Sequence, residues 1–399
     1  CHVKNSTITS TPIEINGKWD NGDKVGGLVG YACFGDADYS PNADAKISGC
    51  SVENTSIKAY RDFAGLLGYA SYVALEECVV TNVTLEQDLT HDYKAPNTPT
   101  TYGMIIGRDN GGNTVDGYNY ISDGLYKKGK TYMVKSAQGL VALSERTIEG
   151  GESVLLGADI DLKDVEFNGL NAFNPENNNT FDGQGHTVSN WTYTGKADDM
   201  GFIRNWVGPI KNLTIKNAIL KTGGRSAVIV AKPYGNIENC HVVDCNLQAN
   251  YWACGLIVGM HNSGNIKDCS ATNSYIKSTG GTGAITGVLN ETDGTRTFTN
   301  CTVTGCTINC TNDNAAKPWY AGGAIVGLVN LDYSTIEFNG CQTSDNIFIG
   351  QFSKDSYYGY SFSPVKINGV YAVSTADELN AAIKAGAEKI MLVKGSYTI

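Results

Sequence analysis

The stretch CSVENTSI (residues 50–57) is one copy of an eight-residue phrase, which we name the cysteine repeat, and this repeat decides the fold. Each copy reads Cys, any residue, a small apolar residue or Thr, any residue, Asn/Asp/Gly, two free positions, then Ile, Leu or Phe. The seven copies begin at Cys1, Cys50, Cys78, Cys240, Cys269, Cys301 and Cys341. An eighth copy, LTIKNAIL (213–220), carries Leu213 in place of Cys. Repetition of this kind indicates a repeat architecture, in which each unit packs on its neighbours.

Within each copy of the cysteine repeat the apolar residues alternate, as at Cys50 and Val52. This is the periodicity of a strand with one buried face. The Asn, Asp or Gly at the fifth position predicts a corner, because Asn and Asp tolerate a left-handed backbone. We therefore expect two short strands joined by a corner in every copy.

A second phrase, the glycine phrase, alternates with the first and has a Gly at each end of a short apolar run. We interpret the run as a short buried strand and the two glycines as turn residues. The copies are GLVG (27–30), GLLG (65–68), GMIIG (103–107), GLIVG (255–259), GAITG (283–287) and GAIVG (323–327).

Constant strands separated by loops of variable length predict an all-β fold, a right-handed parallel β-helix solenoid. Helical repeats are excluded by the alternation and by the 47 glycines. A propeller blade needs four antiparallel strands with hairpin turns, and the sequence lacks those turn signals. Each coil of the predicted solenoid would rise by roughly 4.8 Å.

A longer repeat predicts tandem units with short capping helices. YMVKSAQGL (132–140) matches YAVSTADEL (371–379) at an offset of 239 residues, and Thr375 with Glu378 forms a helix-start signal. We predict that residues 1–128 are the C-terminal coils of one β-helix unit and that 129–368 form a complete unit with an N-terminal helical cap. Residues 369–399 would then begin a further unit, so we expect tandem units within a longer protein.

The composition narrows the classes of partner. The formal net charge is −10 and no basic cluster occurs, which disfavours nucleic acid and anionic membranes. Charged residues are 18% of the chain, while Asn, Thr, Ser, Gly and Tyr are abundant, a balance that suits extracellular β-proteins. We expect no insertion into a membrane by this segment.

The twelve cysteines could form disulfides, bind metal or pack in the core, and we favour packing. Buried Cys behaves as a small hydrophobic residue, and Leu213 can replace such a thiol but not a metal ligand. No CxxC pair occurs, so a zinc site is unsupported. We predict a structural ladder with no metal and no cofactor, formed by Cys1, Cys50, Cys78, Leu213, Cys240, Cys269, Cys301 and Cys341.

Six segments follow one another in a recognisable order: ADIDL (158–162), FDGQGHTVSNW (181–191), MGFI (200–203), IKNLTIKNAIL (210–220), IENCHV (237–242) and GLIVG (255–259). This order resembles the GLUG-motif family of repeat domains in large exported bacterial proteins. The resemblance implies a parallel β-helix in a cell-surface or secreted, often adhesin-like, protein. It implies no catalytic residues, because the family motif is structural. Met104, Ala284 and Ala324 depart from the motif by replacing its Leu.

Parallel β-helices also carry polysaccharide lyases and hydrolases, whose sites need paired carboxylates on one face of neighbouring coils. The five His form no pair with a nucleophile, and neither DNGGN (109–113) nor DNGD (20–23) has the spacing of a calcium loop. We predict no catalytic residues; a carbohydrate-active enzyme or a binding module of one is the alternative. The candidate carboxylate pairs are Asp36 with Asp38, Asp159 with Asp161, and Asp198 with Asp199.

Aromatic residues precede several glycine phrases. They either cover corners of the coil or form a ridge for sugar rings or a partner protein. We predict a non-enzymatic segment of a bacterial cell-surface or secreted protein, an adhesin-like stalk or display scaffold that binds glycans or a host surface protein. The ridge would consist of Phe63, Tyr102, Tyr251, Trp252, Trp319 and Tyr320.

Overall fold

The computed structural model forms two compact units, Cys1–Tyr132 and Met133–Ile399. The predicted boundary after residue 128 and the predicted further unit from residue 369 stay predictions. The structure describes residues 1–10, 13–15, 18–20, 23–35, 46–89, 102–172, 178–290, 295–314, 316–317, 320–329, 335–351, 355–361, 363–373 and 375–392.

The first unit stacks short parallel strands, coil upon coil, into five ladders. These are His2–Lys4, Ser51–Glu53 and Val79–Thr81; Thr7–Thr9, Ser56–Ala59 and Thr84–Gln87; Asp23–Gly26, Arg61–Ala64 and Tyr102–Gly103; Val29–Cys33, Leu67–Ser71 and Ile106–Asp109; and Lys46–Ser48, Ala74–Glu76 and Thr114–Val115. Tyr118–Ser122 and Leu125–Lys128 continue the last ladder in antiparallel fashion, and Thr131–Val134 follows. Ile13–Ile15 and Lys18–Asp20 form a separate antiparallel pair.

The second unit is built in the same way, with more coils. Its first ladder contains Ser153–Leu156, Thr180–Asp182, Ile210–Lys216, Ile237–Val243, Ile266–Lys267, Thr295–Thr299, Thr335–Asn339 and Val365–Ile367. Ile160–Asp161, Thr187–Ser189, Ser270–Thr272, Thr302–Thr304 and Gln342–Ser344 pair beside it. The third ladder contains Thr192–Thr194, Ile219–Thr222, Asn246–Ala249, Tyr275–Ser278, Thr307–Cys310 and Ile347–Ile349.

Two more ladders complete the second unit, one of three strands and one of seven. One contains Cys254–Gly255, Thr282–Gly283 and Gly322–Gly323. The other contains Leu170–Ala172, Ile203–Val207, Val230–Tyr234, Val258–His261, Thr286–Leu289, Val326–Val329 and Tyr358–Ser361. Because nearly all strand pairs are parallel and join residues one coil apart, the predicted all-β parallel β-helix is confirmed.

The fifth position of the cysteine repeat forms the predicted corner in all eight copies. Its backbone is left-handed throughout, with φ between 48° and 66°, at Asn5, Asn54, Asn82, Asn217, Asp244, Asn273, Gly305 and Asp345. A second left-handed corner, not predicted from the sequence, lies directly before the first repeat position in seven of the copies. Its residues are Gly49, Glu77, Asn212, Asn239, Asp268, Asn300 and Gly340. The strand pair of each repeat is therefore bounded by two corners, which fix the cross-section of the coil.

The cysteine repeats stack as predicted, with Leu213 in register with Cys240. Leu213 is buried, and so are the thiols of the later coils, at Cys240, Cys269, Cys301 and Cys341. All twelve cysteines are free thiols. Cys1 and Cys33 are exposed and Cys78 is half-buried, whereas the other nine cysteines are buried.

The glycine phrases differ from their prediction in two respects. In the longer phrases the first two apolar residues, such as Leu256 and Ile257, are not a strand but the buried bend that joins Cys254–Gly255 to Val258–His261. In GLVG and GLLG the first Gly and the Leu after it form the bend. The flanking glycines do not have left-handed φ values. They are required by close packing instead, because a Cβ on Gly255 would overlap the carbonyl oxygen of Val258.

Two short helices accompany the strands. Helix α1, Ala137–Ser144, buries Leu140 and Leu143, and the Ser136 side chain caps its first turn. Helix α2, Ala376–Lys384, begins at the predicted cap, where the Thr375 hydroxyl accepts from the Glu378 N–H at 3.2 Å. The Glu378 carboxylate accepts from the Tyr358 hydroxyl at 3.2 Å. This bond ties α2 to the coil that it covers. Neither helix of the described chain is long and apolar enough to cross a membrane.

Candidate functional site

Trp252 and Tyr320 occupy equivalent positions two coils apart in the second unit. The register that pairs Cys254 with Thr282, and Thr282 with Gly322, places Gly280 in the coil between them. A Cβ on Gly280 would lie 2.5 Å from the Tyr320 Cβ, so Tyr320 lies directly over this glycine. The two rings consequently meet, with centroids 5.6 Å apart and planes tilted by 38°.

These two rings rest on a small apolar cluster. Ala253, Met260, Val288 and Leu328 are buried, and the half-buried Trp252, Tyr320 and Tyr360 pack against them. Tyr251, the neighbour of Trp252, is 62% exposed. We call Tyr251, Trp252 and Tyr320 the aromatic surface. Its Trp252 and Tyr320 rings pack on buried residues, and its Tyr251 side chain is open to solvent.

A pocket of about 100 Å³ opens beside this surface, lined by Asp198, Gly224, Arg225, Tyr251 and Trp252. Gly224 lies in the coil before Trp252, and a Cβ there would lie 2.7 Å from the Tyr251 Cβ. The absent side chain therefore leaves the space that the pocket occupies.

The polar wall of the pocket is an ion-pair network. Asp198 accepts from the Gly224 N–H at 2.6 Å, and its other oxygen lies 3.3 Å from Arg225 Nη2. Arg225 Nε lies 2.6 Å from Asp199 Oδ1, and Lys232 Nζ lies 3.9 Å from the second oxygen of Asp199. The hydrogen bond to Asp199 raises the pKa of Arg225 and outweighs the opposing effect of its partial burial. The guanidinium and both carboxylates are thus fixed before any ligand arrives.

The combination determines which ligands the site can hold. The aromatic surface offers apolar ring area, whereas Asp198 and Arg225 offer an acceptor and a donor at its edge. A matching ligand has one apolar face and an edge that carries hydroxyl groups. The small volume suits a single ring or the end of a longer molecule.

The predicted ridge is present only in part. The prediction that Phe63 is a surface residue is wrong: its side chain is fully buried because it packs in the core of the first unit. Tyr102 is 59% exposed and stacks on Phe63 at 5.2 Å. Trp319 lies outside the described residues. The structure brings together Tyr251, Trp252 and Tyr320.

Arg225 and Gly224 are not predicted from the sequence. Arg225 belongs to no motif, and its role depends on a left-handed backbone, with φ of 48°, that aims it at the preceding coil. Asp198 and Asp199 are predicted only as a carboxylate pair. The one sequence signal is the small residue at 224, which is aligned with Trp252 of the next coil.

Two other candidate carboxylates, Asp159 and Asp161, are hydrogen-bonded to backbone N–H groups and to neighbouring side chains. Asp159 accepts from the Thr187 N–H at 2.9 Å and lies 3.1 Å from His186 Nδ1, and these bonds lower the pKa of Asp159. Asp161 accepts from Asn190 and from the Lys163 N–H, both at 2.9 Å, which likewise lowers the pKa of Asp161.

The two acidic loops considered for calcium differ in how much of them is described. In DNGGN, Asp109 accepts from the Gly111 N–H at 2.9 Å, as in an ordinary turn. Residues 36–45 and 21–22 lie outside the described structure, and with them Asp36, Asp38 and part of DNGD. Within the described ranges, no three His, Cys, Asp or Glu residues are grouped so that they could hold a metal ion.

Known proteins resemble this chain only distantly. No family model matches the chain, and no curated protein matches it significantly. One solved structure that resembles it is described as "a putative immunoglobulin A1 protease from Bacteroides ovatus". The resemblance has 18% sequence identity and a TM-score of 0.45, and it covers 68% of this chain and 86% of that chain.

Proposed function

We propose that this chain is a non-enzymatic, adhesin-like segment of a bacterial cell-surface or secreted protein of the GLUG-motif type, and that it binds glycans through the aromatic surface and its pocket. The observation that supports this most strongly is the placement of Asp198 and Arg225 at the edge of the exposed Tyr251 ring and the half-buried Trp252 ring. The β-helix would act as a rigid support that displays this site.

Sugars fit the site because a pyranose ring has an apolar C–H face and a rim of hydroxyl groups. The C–H face would stack on Trp252, which buries apolar area on both partners. The hydroxyl groups would donate to Asp198 and accept from Arg225, and hydrogen bonds to charged groups are stronger than neutral ones. Since both charged groups are already oriented by their ion pair, binding would cost little side-chain entropy.

Binding of the full chain to an array of neutral and acidic glycans tests the proposal, with each hit measured again on variants. Trp252→Ala and Tyr320→Ala should each weaken binding at least tenfold, and Arg225→Gln should do so without removing aromatic area. Tyr102→Ala is the control, because it removes an exposed aromatic ring of the first unit, outside the site, and should leave affinity unchanged. A glycan bound equally well by all four variants would overturn the assignment of the site.

An assay for turnover distinguishes this proposal from the alternative that the chain is a carbohydrate-active enzyme. The glycan that binds best should be recovered intact after prolonged incubation with the chain, with no new reducing ends and no unsaturated products. Release of either product, lost in Asp198→Asn, would replace the proposed binding function by catalysis.

A further inference from the structure

The first unit carries an unusual column of side chains across three successive coils. Tyr31 pairs in register with Tyr69, and Tyr69 with Arg108. The two tyrosine rings are stacked, with centroids 4.7 Å apart and planes within 10° of parallel. The Arg108 guanidinium lies 5.9 Å from the Tyr69 centroid, so Tyr69 is placed between a ring and a cation.

A second cation accompanies the column. Lys24 Nζ lies 5.4 Å from the Tyr31 centroid and 5.9 Å from the Tyr69 centroid, within the range of a cation–π contact with both rings. Tyr31 is 53% exposed, and Lys24, Tyr69 and Arg108 are partly exposed. We call these four residues the tyrosine–cation column.

An ion pair with a buried carboxylate orients Arg108. The Asp62 carboxylate is 1% exposed and lies 3.4 Å from Arg108 Nη1. Because Asp62 is buried, it orients Arg108 without covering the solvent side of the guanidinium. Among the described residues, no carboxylate oxygen lies within 4 Å of Lys24 Nζ, which contacts the two tyrosine rings. Within that part of the chain, the ammonium group of Lys24 therefore has no carboxylate partner.

The charge of this column contrasts with that of the chain, whose formal net charge is −10. Stacked aromatic rings direct their electropositive edges outward, so rings and cations together favour an anion. Tyr31, Tyr69 and Arg108 share one register position in three successive coils, and Lys24 lies beside the two tyrosines, so the two cations are spaced along the solenoid. This spacing suits a ligand whose charges also lie along a line. We propose that the tyrosine–cation column binds an anionic polysaccharide, with its carboxylate or sulfate groups at Lys24 and Arg108.

The tyrosine–cation column is independent of the proposed glycan site, because it lies in another unit and selects another ligand charge. The test measures binding of the full chain to polygalacturonate, to chondroitin sulfate and to neutral dextran, in low and high NaCl. The two anionic polymers separate carboxylate from sulfate recognition. We expect micromolar binding to at least one of them, none to dextran, and a loss of more than tenfold as NaCl rises, since salt screens exposed charges.

Three variants locate the site. Lys24→Asn and Tyr69→Leu should each weaken binding to the anionic polymer about fivefold to tenfold, and Lys24→Asn leaves the Arg108–Asp62 contact intact. Lys46→Gln is the matched control: it also removes one positive charge from the first unit, but Lys46 is paired with Glu76 at 2.8 Å in a different ladder. Trp252→Ala should bind the anionic polymer as well as the unmodified chain. Absence of binding to both anionic polymers, or equal losses in Lys46→Gln and Lys24→Asn, would overturn the inference.

Discussion

The ring centroids of Trp252 and Tyr320 lie 5.6 Å apart, although the coil that carries Gly280 separates the two residues along the solenoid. Two coils span roughly 9.6 Å at the spacing of hydrogen-bonded strands. The rings can meet only because Gly280 has no side chain to hold Tyr320 away. Three coils therefore form the aromatic surface: two carry its aromatic residues, and the coil between them carries Gly280, which leaves room for the rings to meet.

Gly280→Ala tests this relationship. The new Cβ would lie 2.5 Å from the Tyr320 Cβ, so Tyr320 must move. We expect glycan binding to weaken about tenfold and the free energy of unfolding to fall by about 1–3 kcal/mol, the usual cost of overpacking. Calorimetry of binding and urea unfolding measure the two effects. Thr279→Ala changes the adjacent exposed side chain and should change neither quantity; unaltered binding by Gly280→Ala would show that the glycine does not position Tyr320.

The corner residues predict a second result. Asn54 has a left-handed backbone with φ of 48°, and its side-chain oxygen accepts from the Asn82 amide, one coil away, at 3.0 Å. Asn54→Ala loses this bond and also strains the backbone, so the free energy of unfolding should fall by about 1–2 kcal/mol. Asn54→Gly loses the bond but relieves the strain, and should cost less. If thermal unfolding shows Gly to be the worse substitution, the corner is not set by backbone conformation.

The buried thiols should resist alkylation in the native protein. Burial raises the pKa of Cys254 to about 12 and those of Cys245 and Cys306 to about 11, and the thiolate is the reactive form. At pH 8.5, iodoacetamide should modify the exposed Cys1 and Cys33 first, and the buried cysteines only after denaturation. Peptide mass spectrometry of native and urea-treated samples gives the sites. Native modification of Cys254 as fast as that of Cys33 would show that the core is open.

His261 predicts a pH dependence of stability. Burial, and next the positive charge of Arg296, lower the pKa of His261 from 6.5 to about 4. Between these values the unfolded chain binds a proton that the folded chain does not, so the free energy of unfolding falls as pH drops from 6.5 to 4. The free energy of unfolding falls by about 3 kcal/mol in total over this range, and the titration of His261 causes no further loss below pH 4.

His261→Leu removes the titrating group and places Leu beside Leu289, its partner in register. Urea unfolding at several pH values should therefore show a shallower decline for this variant than for the unmodified chain between pH 6.5 and 4. Parallel curves for the two proteins would mean that His261 does not remain neutral in the folded state. The difference between the two curves excludes the contribution of the carboxylates to the pH dependence, because they titrate in both proteins.

The strands of the cysteine repeat and the corner at its fifth position could be predicted from the sequence because each follows from a local pattern. Cys50, Val52 and Asn54 specify a strand and its corner within five residues. The prediction for the glycine phrase differed from the structure because Gly255 is required by the close approach of a strand from the same coil. A local sequence pattern does not distinguish a glycine needed for close packing from one needed for a turn.

The site was harder to predict for the same reason. Trp252 and Tyr320 stand out as aromatic residues, but Phe63 has the same local context and is buried. Arg225 and Asp198 are 27 residues apart and meet only through the stacking of coils. Recognising such pairs requires the coil register, which the variable loops conceal in the sequence.

The proposed glycan site is tested most directly by a crystal structure of this chain with the oligosaccharide that binds it best. We predict one sugar ring stacked on Trp252, with hydroxyl groups within hydrogen-bond distance of Asp198 and Arg225. A sugar bound elsewhere, with the pocket beside Tyr251 empty, would contradict the proposal.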